Sequence, residues 1–471
     1  MTYDYETYLS PMTWRYGSTE MRRLWSEVHK RRLWRHIWVA LAEVQAEYGL
    51  ISTEKIDALH RHIESVDMNR SLEIEAQIHH DLMAELQVFA EQSGEAGGIL
   101  HLGATSVDIE DNADALRIKA SLDLVLNRLR QLLGNFCKQI ERWAATPVMA
   151  FTHLQPAEPT TLGYRLACYA QDLQTDWMVL EQAREGMRGK GFKGAVGSGA
   201  SYAELIGVEN LEAFEMRLSA KLDMNFYSIT TQTYPRLQEY HLLSGLAGLG
   251  ATLYKFAFDL RLLQSPLAGE LSEPFGSQQV GSSAMPFKRN PINAEKIDSL
   301  ARALAQMPRI AWDNAAHALL ERTLDDSANR RSLLAESFLI MDELLQVANR
   351  IIAGIQVDER ALQRTMERYG PFAATERLLM NLGKQGADRQ EMHARLREHA
   401  LVAWQAVGKG QGNPLVALVE VDSIFLQYLG KEQIRACMQA EQYTGDSAIR
   451  ATRLAKEIRN SLTSPRLSPD H

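Results

Sequence analysis

Seven apolar residues, Leu122, Leu126, Leu129, Leu133, Phe136, Ile140 and Trp143, follow one another at steps of 4, 3, 4, 3, 4 and 3. That spacing is a heptad seam, and a helix puts all of them on one side. The pattern from Asn112 to Trp143 predicts a helix of some 30 residues, about 45 Å long at 1.5 Å per residue. Such a helix outruns what one small domain covers, which implies a long bundle or a partner chain. Residues 236–263 are apolar nearly all round and carry Gly245, Ala247, Gly248, Gly250 and Ala251. These small residues permit close approach of neighbouring helices and predict a fully buried position. Residues 310–320 and 333–352 continue in the same vein, and no period-2 strand pattern of any length interrupts them. The middle of the chain therefore reads as an all-α bundle of about five long helices.

One stretch breaks this regularity. Residues 270–299 hold Gly276 and Gly281, the adjacent hydroxyls Ser282 and Ser283, Lys288 beside Arg289, and Pro274, Pro286 and Pro291. The glycines open backbone conformations closed to other residues, while the prolines fix φ and bar a helix until Pro291 has been passed. An exposed, mobile loop is forced. From Ile292 the pattern turns helical, with Ile292, Ile297, Leu300, Leu304, Met307 and Ile310 spaced to cover one face. Lys288 and Asn290 thus precede a helix start, where N–H groups and the helix dipole favour an anion such as a carboxylate.

Other strings offer chemistry with a structural alternative beside it. Arg22, Arg23, Lys30, Arg31, Arg32 and Arg35 are interleaved with Trp25, Leu33, Trp34, Ile37 and Trp38; a nucleic-acid surface would read so, but an amphipathic helix starting near Glu20 with solvated arginines is the reading adopted. Before it, Arg15 and Tyr16 sit in a loop and offer donors to a phosphate, or simply make a surface turn. His79-His80-Asp81 is placed in a helical context, where two adjacent histidines point apart and form no i, i+4 metal pair. Thr105 and Ser106 fall where a helix cap is expected, a position that also presents hydroxyls and amides to a carboxylate. His153, flanked by Thr152 and Gln155 and stopped by Pro156, occupies an irregular, accessible segment; a structural histidine is the alternative. Residues 193–201 form a Gly/Ser loop without the Lys-Ser/Thr ending of a phosphate-binding P-loop. Finally, Arg322, Arg330 and Arg331 cluster about Ser327 at a helix start, a ready phosphate site.

Composition limits the field. With 471 residues, 45% of them apolar and 23% charged, the chain has core enough for two to four domains. Cys137, Cys168 and Cys437 are odd in number and lack metal or redox spacing, which suits a reducing cytoplasm. No apolar run is long enough for a membrane span, and no secretory leader is read at the N-terminus. A net charge of −8 excludes nucleic-acid binding through bulk charge, so an anionic ligand must meet local arginines.

The string Gly281-Ser282-Ser283-Ala284-Met285-Pro286-Phe287-Lys288-Arg289-Asn290-Pro291 resembles the signature loop of the fumarase/aspartase superfamily, enzymes that eliminate fumarate from a substituted succinate. Thr152-His153-Leu154-Gln155-Pro156-Ala157 is similar to that superfamily's Thr-His-x-Gln-Pro-Ala. Arg15-Tyr16, Thr231-Gln232-Thr233-Tyr234-Pro235-Arg236 and Glu321-Arg322-Thr323-Leu324-Asp325-Asp326-Ser327-Ala328-Asn329-Arg330-Arg331 narrow the likeness to the branch that handles a nucleotide. It extends from about Tyr8 to Leu462; residues 464–471 fall outside it and read as a disordered tail.

The resemblance implies an all-α fold of three domains, 1–106, 107–358 and 359–471, whose central five-helix bundle joins others in a tetrameric helical core. It implies release of fumarate from adenylosuccinate to give AMP, and from the succinyl-carboxamide intermediate SAICAR to give AICAR, by a cytoplasmic homotetramer with sites shared between subunits. An argininosuccinate or other succinyl-amine lyase is the alternative, with a non-catalytic structural relative behind it. Elimination needs a base for a carbon-bound proton, donors for the dianionic carboxylate that forms, and an acid for the departing nitrogen. By resemblance Ser282 is the base, His153 the acid, and Glu295 the carboxylate that orients His153. Lys288 and Asn290 grip the substrate carboxylate with Thr105, Ser106, Thr152 and Gln232, and His80, with Asp81 beside it, stands near the phosphate and leaving group. Arg15, Tyr16, Arg322, Ser327 and Arg331 match phosphate ligands. No metal or organic cofactor is called for. His79 stands where arginine or asparagine is usual, and Lys296 where arginine is; the latter bears on how evenly the two substrates are handled.

Overall fold

A computed structural model describes residues 6–463, so the tail read as disordered, 464–471, lies outside the described residues. The chain divides into two units, one of residues 1–128, 176–251 and 299–346, the other of residues 129–175, 252–298 and 347–471.

Helices dominate, as the periodicity requires. In chain order the elements used below are α1 (Glu27–Glu47), α2 (Asp81–Ser93), α3 (Ser106–Arg142), β1 (Pro147–Thr152), β2 (Gln155–Thr161), α4 (Leu162–Glu185), α5 (Leu237–Gln264), α6 (Ile292–Leu304), α7 (Ser327–Ala353), α8 (Glu359–Lys384) and α9 (Arg389–Gly408). The heptad seam lies on α3, 37 residues and about 55 Å long. Leu122, Leu126, Leu129, Leu133, Phe136 and Ile140 are all fully buried. Its own chain covers the seam, so the seam is no argument for a partner. Helix α5 departs from expectation the other way: Leu242, Leu246, Leu249, Leu253 and Leu260 are buried, but Phe258 and Leu262 on another side are 54% and 47% exposed. The helix expected to be buried all round keeps an open face. The pattern read from Ile292 to Ile310 is split, α6 ending at Leu304 and a second helix spanning Met307–Ala316.

Three further expectations are corrected. The run from Glu20 is two helices, Thr19–Leu24 and α1, parted where Ser26 Oγ accepts the His29 N–H at 3.2 Å and caps the second. On α1 the arginines are not all solvated: Arg31 is 1% exposed and Arg35 not at all. Arg35 Nε lies 2.7 Å from Glu85 on α2, itself fully buried, and its guanidinium stacks over Phe89 at 4.7 Å. The aromatic residues around them, Trp34, Trp38 and Phe89, belong to the core of the first unit with Ile109, Phe192, Tyr202 and Phe214. Nor is the segment after α3 irregular: β1 and β2 pair antiparallel from Pro147↔Thr161 to Thr152↔Gln155, with a bulge between Met149 and Phe151. In the second unit Met149 packs with Leu378, Leu382, Leu396, Phe425 and Ile434 beneath α8 and α9.

Candidate active site

The first unit builds a cavity lined by charged side chains of both signs. The helix Met68–Ile78 stops because His79 adopts φ +57°, its N–H closing on Glu75 O at 2.8 Å. His80 then caps α2, Nδ1 accepting from the Met83 N–H at 3.5 Å. The two histidines therefore occupy a break rather than a helix, and the argument about divergent helical directions does not apply to them. A ring that accepts at Nδ1 carries its proton on Nε2, and Nε2 meets Ser106 Oγ at 3.3 Å. Thr105 and Ser106 begin α3 as expected, the Thr105 N–H bonding Asp108 Oδ2 at 3.0 Å.

Asp81 follows His80 and enters a cavity of about 100 Å³ that also takes in Arg322, Ser327 and Arg331. Arg331 Nη2 meets Asp81 Oδ2 at 2.9 Å. Burial works against the Asp81 charge, but Lys30 and Arg331 outweigh it and hold the carboxyl below its usual range. Ser327 opens α7, so the helix's unpaired N–H groups and dipole add to the positive field. Arg322 Nη1 is oriented by Asp326 at 2.9 Å, and among the described residues its other guanidinium nitrogens have no protein partner. Arg330, read beside these two as part of the phosphate cluster, is instead engaged with Glu239 at 2.6 Å and Asp114 at 3.1 Å. Arg236 likewise ties Asp111 to Asp326, at 3.0 and 2.7 Å. These pairs brace the wall.

The second unit carries the other set. His153 and Leu154 are the two central residues of the β1–β2 turn, with φ +53° and +58°. Two left-handed residues make a turn of the type that suits the strand twist, normally filled by Asn-Gly. Neither residue is glycine, and such conformations cost of order 1–3 kcal/mol each and gather at functional sites. His153 is exposed at the tip.

The 270–299 loop is exposed, as expected, but its stems are fastened. The Glu273 side chain accepts from Asn293 N and Nδ2 and from Ala294 N, at 3.0 to 3.2 Å, and so caps α6. Burial nonetheless pushes the Glu273 carboxyl up against these donors. Asn290 Nδ2 donates to Gly281 O at 3.0 Å, and a Cβ on Gly281 would lie 2.1 Å from Lys288 O, so glycine is required for that closure. Within the loop Ser282 Oγ accepts from Met285 N at 3.1 Å and Ala284 N at 3.4 Å. Two N–H donors aimed at a serine oxygen stabilise its deprotonated form, the form a base must take. Lys288 and Glu295 are exposed, Glu295 on the first turn of α6.

The other expected residues are scattered more widely. Arg15 is exposed, its guanidinium 5.6 Å from the Trp14 ring, and the Tyr16 carbonyl accepts from Arg22; neither lines the cavity. Gln232 is half-buried and its N–H bonds Glu321 O at 3.1 Å. Thr152 is exposed at the end of β1. Within one chain no hydrogen bond or ion pair among the described residues joins His153 to Glu295 or to Ser282. Sequence reasoning passed over Lys30 and Glu110, which line the cavity, and Glu273, which anchors the loop. Lys30 lay in view within the basic-aromatic run; the donors that Glu273 meets lie about 20 residues along the chain.

A long-helix scaffold carrying a fastened Gly/Ser/Lys loop and a histidine hairpin belongs to a class of lyases. A family model described as Lyase matches residues 12–305. The fold is shared with 3-carboxy-cis,cis-muconate lactonizing enzyme from Pseudomonas putida, at a TM-score of 0.84 and 23% identity over 95% of this chain and 98% of that one. It is also shared with a fumarate lyase from Mesorhizobium, at 0.83 and 23% over 96% and 99%. A second family model, Adenylosuccinate lyase C-terminus, matches residues 371–454. The adenylosuccinate lyase of Saccharomyces cerevisiae is 35% identical over 98% of this chain and 96% of its own length. That of Schizosaccharomyces pombe is 34% identical over 99% and 97%, and that of Pyrococcus abyssi 34% over 92% and 94%. The chain belongs to the adenylosuccinate lyase family.

Proposed function

We propose that this protein eliminates fumarate from adenylosuccinate to leave AMP, and from SAICAR to leave AICAR. The observation that carries the reading is the cavity of Arg322, Ser327 and Arg331 at the start of α7, a phosphate site for which a substrate lacking phosphate has no use. Arg15 and Tyr16, which do not line this cavity within one chain, are further phosphate ligands by the family resemblance. Ser282 removes the proton from the succinyl carbon, and the electron pair left behind spreads into the adjacent carboxylate. Lys288, Asn290, Thr105, Ser106, Thr152 and Gln232 bind that carboxylate and the charge it gains. The carbon–nitrogen bond then breaks, the double bond of fumarate forms, and His153, oriented by Glu295, protonates the departing nitrogen. His80, whose Nε2 lies 3.3 Å from Ser106 Oγ, is by the family resemblance a second histidine near the phosphate and leaving group.

The same reading gives a cytoplasmic homotetramer with the domains 1–106, 107–358 and 359–471. The open face of α5, with Phe258 and Leu262 exposed, supports association. The lack of any bond from His153 to Glu295 within a chain supports a site completed by neighbouring subunits. Among the described residues no helix is long and apolar enough to cross a membrane. The phosphate assignment is tested by Arg322→Ala. AMP affinity should fall by about 2 kcal/mol, the lower end expected for removing one partner of a charge pair, because Asp326 keeps Arg236. An unchanged AMP affinity would put the phosphate elsewhere.

A further inference from the structure

Among the described residues, one carboxyl of the cavity wall pairs with nothing. Glu110 lies on α3 one turn beyond Ser106, on the same side of the helix, and lines the cavity with Asp81, Arg322, Ser327 and Arg331. Among the described residues it makes no hydrogen bond or ion pair. The groups around it come from every neighbouring element: Glu27 and Lys30 from α1, Asp81 from α2, Asp111, Asp114 and Arg117 from α3, Arg236 before α5, and Arg322, Arg330 and Arg331 before and on α7. Each of these cations already has a carboxylate. Lys30 meets Glu27 at 2.8 Å, Arg117 meets Asp114 at 3.2 Å, Arg331 meets Asp81 at 2.9 Å, and Arg236, Arg322 and Arg330 are paired as described. Glu110 is a surplus acid, half-buried in the wall, and a phosphate dianion entering beside an ionised Glu110 would meet a like charge.

We infer that Glu110 is a further binding residue, a neutral carboxylic acid whose O–H donates to the phosphate held by Arg322, Ser327 and Arg331. A carboxylic acid has one donor when protonated and none when ionised. Burial first, then Asp81, Asp111 and Asp114, push the Glu110 carboxyl up to about 8, which Lys30 only partly opposes. Asp111 is also raised by burial, yet it is held by both oxygens on Arg236 and by the Tyr234 N–H at 2.8 Å. The direction of the pH effect follows. Glu110 is mostly protonated at pH 7 and mostly ionised at pH 9, whereas the phosphate is a dianion across that range, its own second ionisation lying near 6. Nucleotide affinity therefore falls as pH rises through about 8, by linkage of binding to one proton.

The inference rests on the phosphate reading above, and the test keeps the two apart. AMP and adenosine dissociation constants are measured at pH 7 and pH 9 for the wild type, Glu110→Gln and Glu110→Ala. The wild type should lose about tenfold in AMP affinity between the two pH values, with adenosine binding unchanged. Glu110→Gln, whose amide donates at either pH and has nearly the same shape, should bind AMP at pH 7 within about threefold of wild type and lose the pH dependence. Glu110→Ala should bind AMP about tenfold more weakly at pH 7 and also be flat with pH. A Glu110→Gln protein that keeps the tenfold fall overturns the assignment, as do Gln and Ala variants that both match wild type at pH 7. If wild type binds AMP no better than adenosine, the phosphate reading itself fails.

Discussion

Ser282 and His153 sit in local geometries that ordinary loop residues do not need. Ser282 Oγ collects N–H donors from Met285 and Ala284, and His153 is held at φ +53° on a two-residue turn. The first arrangement makes a serine oxygen tolerable as an anion, and the second fixes an imidazole at an exposed tip. If they are base and acid, replacing either with alanine should cut turnover by about 10² to 10⁴ while substrate still binds. Single-turnover and equilibrium binding measurements on Ser282→Ala and His153→Ala check this; full turnover by Ser282→Ala would make His80 the next candidate base.

At the level of elements, the proposed mechanism puts the chemistry on the hairpin and the loop, which the helices flank. Leu154 has φ +58° and is 72% exposed, so glycine there would relieve backbone strain without losing packing. Leu154→Gly should stabilise the protein by about 1 kcal/mol and lower turnover by loosening His153. Thermal unfolding and steady-state kinetics on the variant check both parts, and a loss of stability would show that the turn is not strained. The hairpin escaped the sequence reading because Pro147, Pro156 and Pro159 and the polar run at 155–161 hide the alternation, and its turn lacks the usual Asn-Gly. The break at His79 was missed for the same reason, with no glycine or proline to mark it. What was legible rests on local rules: the seam on α3, the Gly/Pro loop, and the starts of α3 and α7 at Ser106 and Ser327. The burial of Arg31 and Arg35 depends on Glu85, about 50 residues away on α2, which no local pattern on α1 reveals.

At the scale of the whole molecule, the proposed enzyme is an assembly of several copies. The seam on α3 is closed by its own chain, so the case for association rests on the open face of α5 and on the finding that, among the described residues, no bond joins His153 to Glu295 within a chain. Sedimentation should find a tetramer; a stable, active monomer at micromolar concentration would remove this part of the account. If sites are shared, mixing and reassembling Ser282→Ala with His153→Ala should restore a fraction of activity, since some rebuilt sites carry neither lesion. Chains that demonstrably exchange without restoring activity would count against shared sites.

The reaction itself is open to direct measurement. Purified protein mixed with adenylosuccinate should release fumarate, followed by its absorbance, with one AMP formed for each fumarate over many turnovers. The contradicting result is no fumarate from adenylosuccinate under conditions where the same protein releases it from argininosuccinate or another succinyl-amine lacking a phosphate.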